Sequence, residues 1–172
     1  FHYAAADGKL KTLNFVISSK EYLDTILSDG ERVDGSNIFP FIEAGSSDLY
    51  VIPRYATAFV DPFAETPTLG ILCSYYDNTG KPLTSAPEYI LSQAAAAFRK
   101  NTGMDFKCLG ELEYYVICDQ DDFYPGRDQK GYHESAPFCK FEEMRVEAMR
   151  LVAKAGGKIK YGHSEVGCFT KD

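Results

Sequence analysis

An α+β fold is predicted for this 172-residue chain by three observations. Short β-like runs fill the first eighty residues, one capped amphipathic helix interrupts them, and two longer helix-period segments follow a turn-rich passage. The composition can supply a core, with 45% hydrophobic and 14% aromatic residues. The length suits one medium domain, or a small domain and part of another.

Residues 1–5 and 10–18 flank Asp7-Gly8, a hairpin signal because the tight turn needs positive φ. Ser18 and Glu21 read as a capping box, and Tyr22, Leu23, Ile26 and Leu27 form an apolar stripe that stops at Gly30. Further strands are predicted at 48–53, 56–60 and 68–76. The run Asp77-Asn78-Thr79-Gly80-Lys81-Pro82 is the predicted boundary, giving domains 1–82 and 83–172. Beyond it, Pro87 opens a helix over 88–100 that stops at Gly103. An apolar run, 108–118, reads as a buried strand, 119–135 as a polar loop, and 138–155 as a second long helix. A last strand, 158–166, carries Glu165 near its end.

The chemistry concentrates on Glu111 and Glu113. Side chains alternate along a strand, so both would project from one face about 6–7 Å apart. Burying two like charges is tolerable mainly where cations meet them. Oxygen donors of this kind suit Mg²⁺ or Mn²⁺, and a pair of metals could take one carboxylate each. A wet edge strand explains the same pattern, so both readings stand at this point.

Other motifs say less. Asp119, Asp121 and Asp122 resemble the start of a calcium loop, but Tyr124 occupies the position that needs glycine, which favours a solvated acidic turn. His2, His133 and His163 do not cluster by spacing, and surface or satisfied core is the default for each. No glycine-rich phosphate loop is present. The net charge of −7 argues against nucleic-acid and anionic-membrane partners, and no stretch reaches the length of a membrane span. Five cysteines without metal-ligand spacing, Cys73, Cys108, Cys118, Cys139 and Cys168, read mostly as reduced core residues of a cytoplasmic protein.

Asp34-Gly35-Ser36-Asn37, then 47–53, Asp61-Pro62-Phe63, Gly110-Glu111-Leu112-Glu113-Tyr114, Gly131-Tyr132 and His163-Ser164-Glu165-Val166 stand in one order along nearly the whole chain. This ordered set resembles the glutamine synthetase family. The resemblance implies an N-terminal β-grasp domain followed by the opening of a catalytic α+β domain. It also implies ATP-dependent joining of ammonia to glutamate through γ-glutamyl phosphate, with Mg²⁺ or Mn²⁺, in a ring-shaped homo-oligomer. By position, Glu111 and Glu113 resemble ligands of different metals. Glu165 resembles an acidic group of the metal and ammonium region, Tyr132 a residue lining the ammonium site, and Asp34 part of a loop lent to a neighbouring subunit.

The chain departs from the family at Asn37, Phe41 and Arg54, where serine, tryptophan and aspartate are commoner, and its histidine-rich approach to Glu165 is reduced to Gly162-His163-Ser164. These changes leave another amine open as the acceptor. A further metal-binding acid, the metal histidine and the phosphate-binding arginines of the family have no counterpart before Asp172. The expectation is therefore an N-terminal piece of a longer ligase, inactive by itself. A non-catalytic family member and a β-grasp interaction module remain the alternatives.

Overall fold

The computed structural model describes residues 1–167. They divide into two compact units, one of Phe1–Val60 with Thr68–Leu109 and the other of Asp61–Pro67 with the chain from Gly110 onward. In the first unit, β1 (His2–Ala4) and β2 (Leu10–Thr12) form an antiparallel hairpin around Gly8, whose φ of 77° meets the turn's demand. Helix α1 (Lys20–Asp29) follows. Its cap is Ser19, whose hydroxyl accepts from the Tyr22 amide at 3.1 Å, one residue later than the box read from the sequence. Ile26 on the predicted stripe is buried, and Leu27 packs partly against the core.

Strands β3 (Glu31–Asp34), β4 (Asp48–Pro53) and β7 (Cys73–Asp77) make an antiparallel sheet in the order β3-β4-β7. The run expected at 68–76 is broken, because β6 (Leu69–Gly70) turns aside to pair with β5 (Phe59–Val60). Period-2 alternation on the central strand buries Leu49, Val51 and Pro53. Val51 stands opposite Tyr75, and both join Phe39, Ile71 and Cys73 as the largest fully buried side chains. At about 25 cal/mol per Å² of apolar surface, such burial is the main stabilising term. Gly30 turns the chain from α1 into β3 at a φ of 69°, where an added Cβ would lie 2.3 Å from the Val51 carbonyl oxygen.

Helix α2 (Pro87–Thr102) is tied to the free edge of β7. The Tyr75 amide donates to the Glu88 carboxylate at 2.9 Å, and the Leu83 amide donates to the Tyr75 carbonyl at 2.9 Å. Gly103, with a φ of 70°, closes the helix as its sequence indicated. No α2 residue is buried.

The second unit carries α3 (Glu142–Lys154), which begins later than expected because Phe141 is the capping residue. Two predicted strands are corrected. Residues 108–118 are irregular and exposed, and 158–166 are irregular as well. A strand persists only where a neighbour accepts its backbone hydrogen bonds. Among the described residues no strand pairs with either segment. Cys108 and Cys118 are accordingly exposed, Cys139 is partly buried, and only Cys73 of these four joins the core. Cys168 lies outside the described residues. No helix among the described residues is long and apolar enough to cross a membrane.

Candidate functional site

In the first unit, Asp34 ends β3 and caps a 3-10 turn over Gly35–Asn37. Its carboxylate is exposed yet heavily engaged. Oδ1 accepts from the Ser36 amide at 3.0 Å and the Ser36 hydroxyl at 2.7 Å, while Oδ2 accepts from the Asn37 side-chain amide at 3.0 Å. The Ser36 and Ser47 hydroxyls, with the Ser36 amide, hold the Asp34 carboxyl below the usual carboxylate range. Gly35 is buried, and an added Cβ would meet the Leu49 side chain at 2.7 Å. Arg32 pairs with Asp48 at 2.6 Å across the same strand ends. The turn therefore presents a fixed, ionised carboxylate to solvent.

In the second unit, the loop of Tyr132 meets the segment of Glu165. The His133 amide donates to the Ser164 carbonyl at 3.0 Å, and the Ser164 hydroxyl donates to the Glu134 carbonyl at 2.8 Å. Ring centroids of Tyr132 and His133 are 4.1 Å apart, those of His133 and His163 4.2 Å, and those of Tyr132 and His163 5.4 Å. Glu165 Oε2 lies 4.0 Å from His163 Nδ1. A phenol, two imidazoles and a carboxylate are thus brought together from segments thirty residues apart, an arrangement able to bind a small cation or exchange a proton.

The sequence marks Tyr132 and Glu165 by resemblance, whereas the spacing of His133 and His163 gives neither a site role. No local signal could have joined them, because their contact is tertiary.

Glu111 and Glu113 are exposed on the irregular segment. Carboxylate oxygens suit a hard divalent cation, but among the described residues no three His, Cys, Asp or Glu side chains gather closely enough to hold a metal. The arrangement thus does not by itself fit a metal centre. The strand that would have placed these two carboxylates on one face is absent, since 108–118 is irregular. Asp121 behaves as the solvated turn residue it was read to be, its Oδ1 accepting from the Phe123 and Tyr124 amides.

Comparison with known proteins gives a consistent result. Residues 1–78 match the family model of the glutamine synthetase β-grasp domain. Glutamine synthetase of Methanococcus voltae is 24% identical over 173 residues, covering 96% of this chain and 39% of that protein. The Thermus thermophilus enzyme is 30% identical over 148 residues, covering 80% of this chain and 33% of its own length. The chain thus spans about two-fifths of the length of the curated relatives it matches. Among solved structures, Plasmodium falciparum glutamine synthetase superposes with a TM-score of 0.73 at 15% identity, over 96% of this chain and 38% of that one. A GmaS–ADP complex superposes at 0.62 and 11% identity, over 90% and 35%. At these identities the superpositions speak to fold alone. Residues 1–78 thus match the glutamine synthetase β-grasp domain, and the chain over most of its length is similar to the N-terminal part of glutamine synthetases.

Proposed function

We propose that this chain is the N-terminal part of an ATP-dependent ligase that joins ammonia to glutamate. The domains proposed are a β-grasp domain at 1–82 and the opening of the catalytic domain at 83–172. One observation supports the reading: the Tyr132 loop is bonded to the segment of Glu165, the two residues that by resemblance to the family would serve the acceptor nitrogen.

In the reaction, a side-chain carboxylate oxygen of glutamate attacks the γ-phosphorus of ATP and ADP leaves. Ammonia nitrogen then attacks the acyl carbon, phosphate leaves, and a carboxylate takes the surplus proton. Asp34 is the carboxylate proposed for that last role by its place in the ordered family set; its neighbours hold it ionised, which suits it to attracting ammonium by charge and makes it a weak base. Glu165 offers a second carboxylate beside His163, able to hold ammonium by charge. The likeness also implies Mg²⁺ or Mn²⁺ with ATP, and Glu111, Glu113 and Glu165 are the oxygen donors proposed for it in the full-length protein. The metal would shield phosphate charge. As arranged here these groups do not form its centre.

Asp34 is proposed to serve the active site of the neighbouring subunit in a homo-oligomeric ring. Full-length subunits carrying Asp34→Ala and subunits carrying Glu113→Ala, each inactive alone, are expected to regain part of their glutamate- and ammonia-dependent phosphate release when co-assembled. Verified mixed oligomers that stay inactive would contradict the shared site. The 172-residue chain alone is expected to release no phosphate in that assay. The second reading is a non-catalytic family member or a β-grasp interaction module, in which Glu111 and Glu113 stay solvated as they are here. A full-length protein that is folded, oligomeric and inactive with ammonia and with simple amines would establish it.

A further inference from the structure

We infer that His133 is a positioning residue of the acceptor-nitrogen site, fixing the Tyr132 ring and the His163 imidazole beside Glu165. The inference rests on the reading of Tyr132 and Glu165 given under Proposed function. His133 has a φ of 58°, in the left-handed region that non-glycine residues enter at a cost and that gathers at functional sites. That backbone state is held by the bond from the His133 amide to the Ser164 carbonyl, and the Ser164 hydroxyl returns a bond to Glu134. The loop is therefore tied from both sides of His133 to the segment carrying His163 and Glu165.

The strained backbone sets the imidazole against two rings at once, Tyr132 at 4.1 Å and His163 at 4.2 Å. Neither neighbour can swing away without losing a stacking partner. His163 is fixed further by its Nδ1, 2.9 Å from the Ser164 carbonyl. A carbonyl only accepts, so Nδ1 carries the hydrogen, and in the neutral ring Nε2 holds the lone pair. His133 thus does not itself need to touch the acceptor. It keeps the Tyr132 phenol against the His163 imidazole and that imidazole next to the Glu165 carboxylate, where a small cation such as ammonium would be bound.

His133→Asn is the informative variant, because asparagine tolerates the left-handed backbone and keeps the amide that bonds Ser164 while removing the ring. In an isotopically labelled 172-residue chain, nuclear magnetic resonance reads the Tyr132 and His163 rings directly, with His2 as a control in the other unit. The variant is expected to move the Tyr132 and His163 ring signals downfield, out of mutual shielding, and to leave His2 in place. Ammonium chloride, titrated against matched sodium chloride, is expected to perturb Tyr132, His163 and Glu165 in the native chain and to need several-fold higher concentration in His133→Asn. Ring signals unmoved by the substitution, or ammonium acting equally on both chains, would overturn the role of His133 while leaving the acceptor site standing. Ammonium acting on neither chain, with the ring stack present, would overturn the acceptor-site reading and the inference with it.

Discussion

Residues 69–77 and 108–118 are both apolar, β-prone segments, and they meet opposite fates. In the first, Cys73 and Tyr75 are almost wholly buried against β4. In the second, Leu112 is 89% and Ile117 94% exposed. Their hydrophobicity is similar, so the difference lies in partners: β4 takes the hydrogen bonds of one, and among the described residues no strand takes those of the other. A pattern of apolar residues states what a segment can bury, while the neighbouring strand decides whether it does. The folding energy is consequently held by the β-grasp unit, and the carboxylates of Glu111 and Glu113 ride on a segment that contributes little of it.

The largest test of this contrast is truncation of core and surface side chains in parallel. Phe39 is 1% exposed, and Phe39→Ala is expected to cost about 3–5 kcal/mol by denaturant unfolding. Ile117→Ala is expected to change stability by no more than about 0.5 kcal/mol. A large loss at Ile117 would reveal packing that the exposed segment does not have.

Backbone substitutions sharpen the same comparison at smaller scale. Gly30→Ala forces a Cβ against the Val51 carbonyl at positive φ, and a loss of about 1–3 kcal/mol is expected from thermal or denaturant melts. Gly110 has open space around it, so Gly110→Ala is expected to stay within about 0.5 kcal/mol.

Thiol chemistry gives the smallest effect. Burial pushes the Cys73 thiol from its ordinary value of 9.0 up to about 11. The folded state therefore keeps a proton that the unfolded chain gives up, so stability is full below pH 9 and falls as pH rises from 9 toward 11. Cys73→Ala should flatten the first part of that fall. Above pH 10, Tyr3 and Tyr75, also raised by burial, add to it. A thiol reagent at neutral pH should label Cys108 and Cys118 quickly and Cys73 slowly, which mass spectrometry reads site by site.

Much of the first unit was legible because its signals are local. Asp7-Gly8 marked its hairpin, Gly30 and Gly103 their helix ends, Pro87 its helix start, and residues 48–53 their strand. Each is a statement about φ, a cap or an alternation within a few residues. The Asp34 carboxylate is exposed at the end of its strand, where it caps the following turn. The rest depended on distant chain. Residues 108–118 carried every local mark of a strand except a partner, and the 68–76 run split because β6 was drawn off by β5. The stack of His133 on His163 depends on a left-handed histidine and a contact across thirty residues, neither of which any local pattern encodes.

Hydrogen–deuterium exchange on the 172-residue chain tests most directly whether folding energy resides in the β-grasp unit. Amides of β4, Val51 foremost, are expected to exchange only through global unfolding, while those of 108–118 exchange close to the rate of an unprotected chain. Protection of 108–118 equal to that of β4, or exchange of β4 as fast as 108–118, would contradict it.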